Sequence, residues 1–138
     1  MISFDVCGIP KGQPRPRASV RGGHASVYDP GTATAWRNTV AWSAKRFRPA
    51  QPLTCALALS LEFRMPRPKS HHLKCGMLKS TAPEWCPKKP DPDNLAKAVM
   101  DALTDCGMWR DDAQIVVLEV TKRFGQIPGA RICIKEVE

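Results

Sequence analysis

Six acidic residues fall within 22 positions of this sequence, and this stretch is where its chemistry is expected. They are Asp91, Asp93, Asp101, Asp105, Asp111 and Asp112. Carboxylates are the hard oxygen ligands that Mg²⁺ and Mn²⁺ prefer. Such ions orient and activate water during phosphodiester hydrolysis and stabilise charge on the attacking and leaving oxygens. The cluster therefore predicts a metal-dependent hydrolytic site.

Each acid taken alone also has a purely structural interpretation. Asp91 followed by Pro92 is typical of a helix start, with Asp91 as N-cap and Pro92 at the first helical position. Asp93 would then compensate the helix dipole. Asp111 and Asp112 would be a polar loop that leads into a strand. Only the combination of acids from two elements favours a site.

A lysine accompanies the acids on the helix predicted over residues 92–104. Asp93, Lys97 and Asp101 recur at helical spacing on the side opposite the apolar residues. Lys97 is placed to neutralise charge that develops on a phosphate, or to take part of the role of a second metal. The helix is about 18–20 Å long, and the loop over 105–111 can span about 23 Å. Clustering of Asp112 with Asp91 is thus allowed by reach, but spacing does not establish it.

Charge is distributed unevenly along the 138 residues. The chain carries 21 Lys and Arg against 13 Asp and Glu, a net charge of +8. Residues 1–90 alone have a net charge of +11, and residues 91–112 have −4. This division predicts a body that attracts a polyanion, nucleic acid first, around a pocket that attracts a cation. No apolar run reaches the length of a membrane span, and no secretion signal is visible, so we expect a cytoplasmic protein of a bacterial or phage-infected cell.

Hydrophobic periodicity predicts one α+β domain over residues 1–138 in the order β-α-β-α-β-β. Two helices would pack on a four-stranded mixed sheet. Alternation or β-branched content predicts strands over 2–7, 53–63, 113–123 and 130–137, and helical spacing predicts helices over 32–47 and 92–104. Because residues 115–118 are apolar on both faces, the third strand is expected to be central. The six cysteines lack paired metal-ligand spacing, which favours free thiols over structural zinc near His71, His72 and Cys75.

Two proline-rich basic segments are the candidates for contacts with phosphates. The first reads GIPKGQPRPR over residues 8–17, and the second is a long insertion at about 64–90. A loop of this length in a compact domain is either functional or disordered, and we interpret it as a flap that orders on nucleic acid. The candidate phosphate contacts, chosen on charge and loop placement, are Arg15, Arg17, Arg67, Lys69, Lys88 and Lys89.

The motif around the acids resembles the RusA family of Holliday junction resolvases. Residues 89–103 read KPDPDNLAKAVMDAL, and residues 109–115 read WRDDAQI. The family pattern is roughly D-x-D-N-L-x-K-A-x-x-D-A-L followed by W-x-D-D-A-Q-[VI]. The basic segment at 8–17 and the long insertion look like the phage-borne branch of the family, and the part over 66–87 departs from its compact members.

The resemblance implies a small homodimeric endonuclease that depends on Mg²⁺, with Mn²⁺ as a substitute, and needs no small-molecule cofactor. It would resolve four-way DNA junctions by paired nicks in opposed strands. The family's catalytic acids fall on Asp91, Asp93 and Asp112, its catalytic lysine falls on Lys97, and Asp111 joins the acids as a metal ligand. Two alternatives stay open: a non-enzymatic nucleic-acid binder, and a related nuclease that acts on other branched DNA. The roles of Asp101, His71 and His72, and the number of metals, are left open.

Overall fold

A four-stranded sheet with two helices on one face forms the body of the molecule. The computed structural model describes residues 1–14, 17–21, 24–28 and 33–138. Its main sheet contains β1 (Ile2–Cys7), β4 (Leu57–Pro66), β5 (Ile115–Gly125) and β6 (Gly129–Glu136). The helices are α1 (Thr34–Ala44) and α2 (Pro92–Asp105). This arrangement confirms the predicted class and the order β-α-β-α-β-β of the main elements.

A second, two-stranded sheet lies between β1 and α1 in the chain and was not predicted. It pairs β2 (Arg17–Arg21) with β3 (His24–Tyr28) in antiparallel register. Its strands have only five residues each, too few for alternation to be separated from the basic loop that precedes them. The turn predicted over residues 28–31 lies, apart from Tyr28, outside the described residues.

Strand order in the main sheet is β1-β6-β4-β5. β6 is antiparallel to both β1 and β4, and β5 is parallel to β4. The sheet is therefore mixed, as expected. The prediction that the strand after Asp112 is central was wrong, because β5 lies at the edge, and its apolar residues Val116, Val117 and Leu118 are exposed instead of being buried on both faces.

The core lies between the sheet and the two helices. Alternate residues of β4 (Leu57, Leu59, Leu61 and Phe63) are almost fully buried against the apolar stripe of α2. α1 contributes Trp36, Val40 and Ala44 at the predicted helical spacing. Phe47, expected on the same helical face, lies beyond the end of α1 and stacks on Phe4 with ring centroids 5.2 Å apart. No described helix is both long and apolar enough to cross a membrane.

The insertion at about 64–90 is packed against the sheet over much of its length. Its first residues, 64–66, continue β4, which is longer than predicted because alternation persists through Met65. Arg67 donates to the carbonyl of Pro83 at 2.7 Å and lies over the ring of Phe124. The backbone of residues 84–86 then hydrogen-bonds the outer edge of β5 at Lys122 and Phe124. The segment thus covers one half of that edge.

Candidate active site

Asp91 begins α2 through its backbone and not through its side chain. The Asp91 carbonyl accepts from the Leu95 N–H at 3.0 Å, which is the first hydrogen bond of the helix. The Asp91 carboxylate makes no capping hydrogen bond. The structural interpretation of this acid, in which the carboxylate satisfies the helix N-terminus, is therefore not realised. Asp91 and Asp93 both remain exposed to solvent.

A cleft of about 400 Å³ opens beside Asp91. Its floor forms where the loop after β1 packs on the start of α2, with the Gln13 N–H donating to the Asn94 carbonyl at 2.9 Å. Gly12 allows this close approach, because a Cβ there would lie 3.0 Å from Pro90 Cβ. The lining residues are Lys11, Gly12, Gln13, Lys89, Pro90, Asp91 and Asn94. Two lysines thus face a free carboxylate in one cleft, a combination suited to holding a phosphate next to an acid.

Lys97 and Asp101 continue the polar face of α2 away from the cleft. The Lys97 ammonium lies 3.8 Å from an Asp101 carboxylate oxygen, as expected from their spacing of four residues. Partial burial raises the pKa of Asp101, the Lys97 charge opposes that shift, and the nearby Asp112 carboxylate adds to it. The effect of Asp112 on Asp101 places the second acidic segment beside the C-terminal half of α2.

Asp112 is held in place by two donors. One of its carboxylate oxygens accepts from the Thr104 hydroxyl and from the Trp109 indole N–H, the latter at 3.2 Å. The indole N–H also reaches the Thr104 oxygen at 2.7 Å. Trp109 is 1% exposed, so its position is set by the core. This network orients the Asp112 side chain against the last turn of α2.

Gln114 anchors the turn that carries Asp111 and Asp112. Its side-chain oxygen accepts from the N–H groups of Arg110 and Asp111, both at 2.9 Å. Its amide nitrogen donates to the carbonyls of Leu53 and Cys55, also at 2.9 Å. The Asp111 carboxylate accepts from the Ala113 N–H and so caps the short 3-10 turn Asp112–Gln114. Asp111 therefore stabilises local backbone, as its structural interpretation proposed.

The predicted acids lie at the two opposite ends of α2. Asp91 and Asp93 stand at its start, and Asp112 contacts Thr104, thirteen residues after Asp91. At 1.5 Å per residue that separation is about 20 Å along the helix axis. Within the described ranges, no three His, Cys, Asp or Glu side chains form a group able to hold a metal ion. One chain therefore does not unite Asp91 with Asp112 around a common ion.

The six residues predicted to contact nucleic acid lie in different settings. Lys69, Lys88 and Lys89 are exposed, and Lys89 lines the cleft beside Asp91. The Arg67 guanidinium is occupied within the insertion by the Pro83 carbonyl and the Phe124 ring. Arg17 is the first residue of β2, and Arg15 lies outside the described residues.

Sequence reasoning missed the residues that support the acids. Thr104, Trp109 and Gln114 hold the second acidic segment, and Lys11 joins the cleft from a distant loop. The spacing of Trp109 and Gln114 around two adjacent aspartates was a usable signal, because an indole N–H and an amide are natural partners of a carboxylate and a turn. Nothing local links Lys11 or Thr104 to an acid far along the chain.

Comparison with known proteins agrees with the motif. A family model described as endodeoxyribonuclease RusA matches residues 8–135 of the chain. This protein belongs to the RusA family. The uncharacterized protein YqaN of Bacillus subtilis is 33% identical over 144 residues, which cover 99% of this chain and 96% of YqaN.

Two characterised relatives match over a shorter stretch. The crossover junction endodeoxyribonucleases RusA of Escherichia coli K12 and of Enterobacteria phage 82 are each 54% identical over 35 residues. These residues cover 25% of this chain and 29% of those proteins. Membership of the RusA family thus rests on the match over residues 8–135, and the short stretches are similar to named junction endonucleases.

Proposed function

We propose that this RusA-family protein is a metal-dependent endodeoxyribonuclease that resolves four-way DNA junctions by paired nicks in opposed strands. The observation that carries the proposal is the free Asp91 carboxylate in a cleft lined by Lys11 and Lys89. A protein that only coated phosphates would gain nothing from an exposed acid at that point. The family match and the junction endonucleases among its relatives support DNA as the substrate.

Lys11, Lys89 and the neighbouring Lys88 would hold the DNA backbone over the start of α2. Their ammonium groups are sequence-independent phosphate ligands, so binding should weaken steeply with salt. Lys97 lies one helical turn beyond Asp93 and would stabilise charge on the phosphate in the transition state. Its ion pair with Asp101 keeps the ammonium on this face of α2.

Mg²⁺, or Mn²⁺ in its place, would be held by carboxylates of Asp91, Asp93 and Asp112. The ion would supply an activated water and a counter-charge for the departing oxygen. Oxygen-only ligands and solvent exposure suit a hard, partly hydrated ion. The fit within one chain is incomplete, since Asp91 and Asp93 are remote from Asp112, and Asp111 is occupied as a cap.

Two nicks in opposed strands call for two active sites related by a two-fold axis, which favours a homodimer. A panel of junction, fork, flap and duplex substrates with Mg²⁺ tests the whole proposal. We expect paired cuts in the four-way junction. Cutting of forks or flaps in preference would favour the related branched-DNA nuclease. Strong, salt-dependent binding without any cleavage would show a non-enzymatic binder.

A further inference from the structure

The outer edge of β5 is open over its first half. Residues 84–86 occupy the second half, where the Cys86 N–H donates to the Lys122 carbonyl at 3.2 Å and the Phe124 N–H donates to the Glu84 carbonyl at 2.8 Å. Among the described residues, no strand pairs with the outer side of Ile115–Thr121. Because Lys122 and Phe124 direct their backbone groups outward, the period of two directs those of Leu118 and Val120 outward as well.

This open edge is also apolar. Val116, Val117 and Leu118 follow one another and are 58%, 47% and 45% exposed. Edge strands in monomeric proteins are usually blunted by charges, prolines or a covering segment. Here the covering segment stops short of the apolar residues. An extended apolar edge with free backbone donors and acceptors is suited to pairing with another strand.

The two ends of β5 carry opposite charge. Asp111 and Asp112 precede the strand and, with Arg110 beside them, leave that end net negative. Lys122 lies near the other end, and its ammonium donates to the carbonyls of Lys88 and Pro90, the latter at 2.7 Å. Lys88 and Lys89 add to this basic end, whereas Arg123 is paired with Glu62 and Glu84. Antiparallel pairing with a second copy sets each acidic end against the basic end of the other, so the edge is complementary to itself.

The same pairing also joins the separated acids. The contact of Lys122 with Pro90 places Asp91 at the C-terminal end of β5, whereas Asp112 stands at its N-terminal end. A two-fold axis near Leu118 exchanges these ends between copies. It brings the partner's Asp112 towards Asp91 and Asp93, across the gap that one chain leaves.

We propose that two copies of this chain pair through the β5 edges, and that each site combines Asp91 and Asp93 of one copy with Asp112 of the other. This rests on the proposed function for the chemistry of the site. The interface itself rests on the exposed apolar residues, the free backbone groups and the opposite charges of the two ends. The partner is a second copy because only a two-fold repeat of the same edge matches all three features.

Mixed dimers test the composite site. An Asp91→Asn chain and an Asp112→Asn chain, carrying different tags, are co-expressed and purified through both tags. In a composite arrangement one site of the mixed dimer inherits both substitutions and the other inherits none. We expect single nicks at about half the wild-type rate, although each variant alone is inactive. If each site is built within one chain, both sites of the mixed dimer are damaged and cleavage is absent, which overturns the proposal.

A matched control pairs Asp91→Asn with Asp93→Asn. Both residues belong to the same end of α2, so no arrangement of that mixed dimer contains an intact site, and we expect no nicking. Restored cleavage there would contradict the assignment. Failure of the two tags to co-purify would show that no dimer forms and would also overturn the proposal. If wild-type protein cuts no branched DNA, the proposed function fails, and the interface is judged by the next measurement.

Sedimentation of Leu118→Glu tests the interface without DNA. Leu118 is about half exposed, so the fold, followed by circular dichroism, should be retained. We expect a monomer where the wild type is a dimer, together with loss of Mn²⁺ binding followed by electron paramagnetic resonance. Ile127→Glu changes another exposed apolar residue, 67% exposed and outside β5, and should remain dimeric. A dimeric Leu118→Glu protein, or a monomeric wild type, would exclude this interface.

Discussion

The two ends of α2 carry acids in contrasting situations. At the N-terminal end, Asp91 and Asp93 are exposed, and the helix is begun by backbone alone. At the C-terminal end, the Asp112 carboxylate is fixed by Thr104 and the buried Trp109. The difference teaches that acids at the first end are free for a ligand at little structural cost, whereas the acid at the second end depends on its neighbours for its position.

The largest effect is expected for Asp91→Asn. Cleavage of a junction in Mg²⁺ should fall by about 10²–10³-fold or more, as for loss of a group that acts on the transition state. Junction binding should be unchanged or tighter, because one negative charge is removed next to Lys11 and Lys89. Thermal stability should hardly change, because the side chain makes no cap hydrogen bond. Gel assays of cutting and binding, with a melting curve, check all three.

Asp105→Asn is the matched control for that prediction. Asp105 is an exposed acid at the other end of the same helix, outside both the cleft and the Asp112 network. Cleavage should stay close to that of the wild type. Equal losses in the two variants would mean that total acidity, and not the position of Asp91, governs activity.

Thr104→Val tests whether Asp112 needs its supporting donor. The valine keeps the shape but removes the hydroxyl, and cleavage should fall by about 10–100-fold, as for loss of an outer partner of a ligand. Thr104→Ser should restore activity. Thr39 of α1 is the comparison, because its hydroxyl only bonds the Ala35 carbonyl one turn earlier. If Thr39→Val costs as much cleavage, Thr104 has a purely structural role.

Gln114→Leu should act on stability. The change leaves the carbonyls of Leu53 and Cys55 and two backbone N–H groups without their partner. A loss of about 1–3 kcal/mol is expected for such unsatisfied groups, measured by denaturant unfolding. Asp93→Asn at the exposed end should change stability by no more than about 0.5 kcal/mol. Similar losses at both ends would remove the contrast between them.

The smallest effect is expected for Gly12→Ala. The added methyl lies 3.0 Å from Pro90 Cβ and 3.2 Å from Asn94 Cβ, so the loop must move outward by a few tenths of an ångström. Lys11 then moves relative to Asp91, and junction affinity should fall only a few-fold. Binding titrations at several salt concentrations measure this. Unchanged affinity would show that the cleft tolerates displacement of its basic wall.

Periodicity determined much of this protein from the sequence alone. The alternation of residues 2–7 and of β4, and the apolar stripe of α2, each predict which side chains are buried, because burial follows the repeat of the element itself. The order of acids and lysine along 91–112 likewise predicted the site residues and the family. These features are local, and neighbours in sequence are sufficient to define them.

Tertiary structure alone decided where those elements lie relative to one another. An apolar stretch such as Val116–Leu118 is compatible with a central strand or with an uncovered edge, because alternation does not specify which strand pairs beside it. Whether Asp112 reaches Asp91 depends on how the loop after α2 returns, and Trp109, Thr104 and Gln114 anchor it at the far end of the helix. Contacts between residues distant in sequence thus separate the acids that the motif lists together, and they leave an open edge beside them.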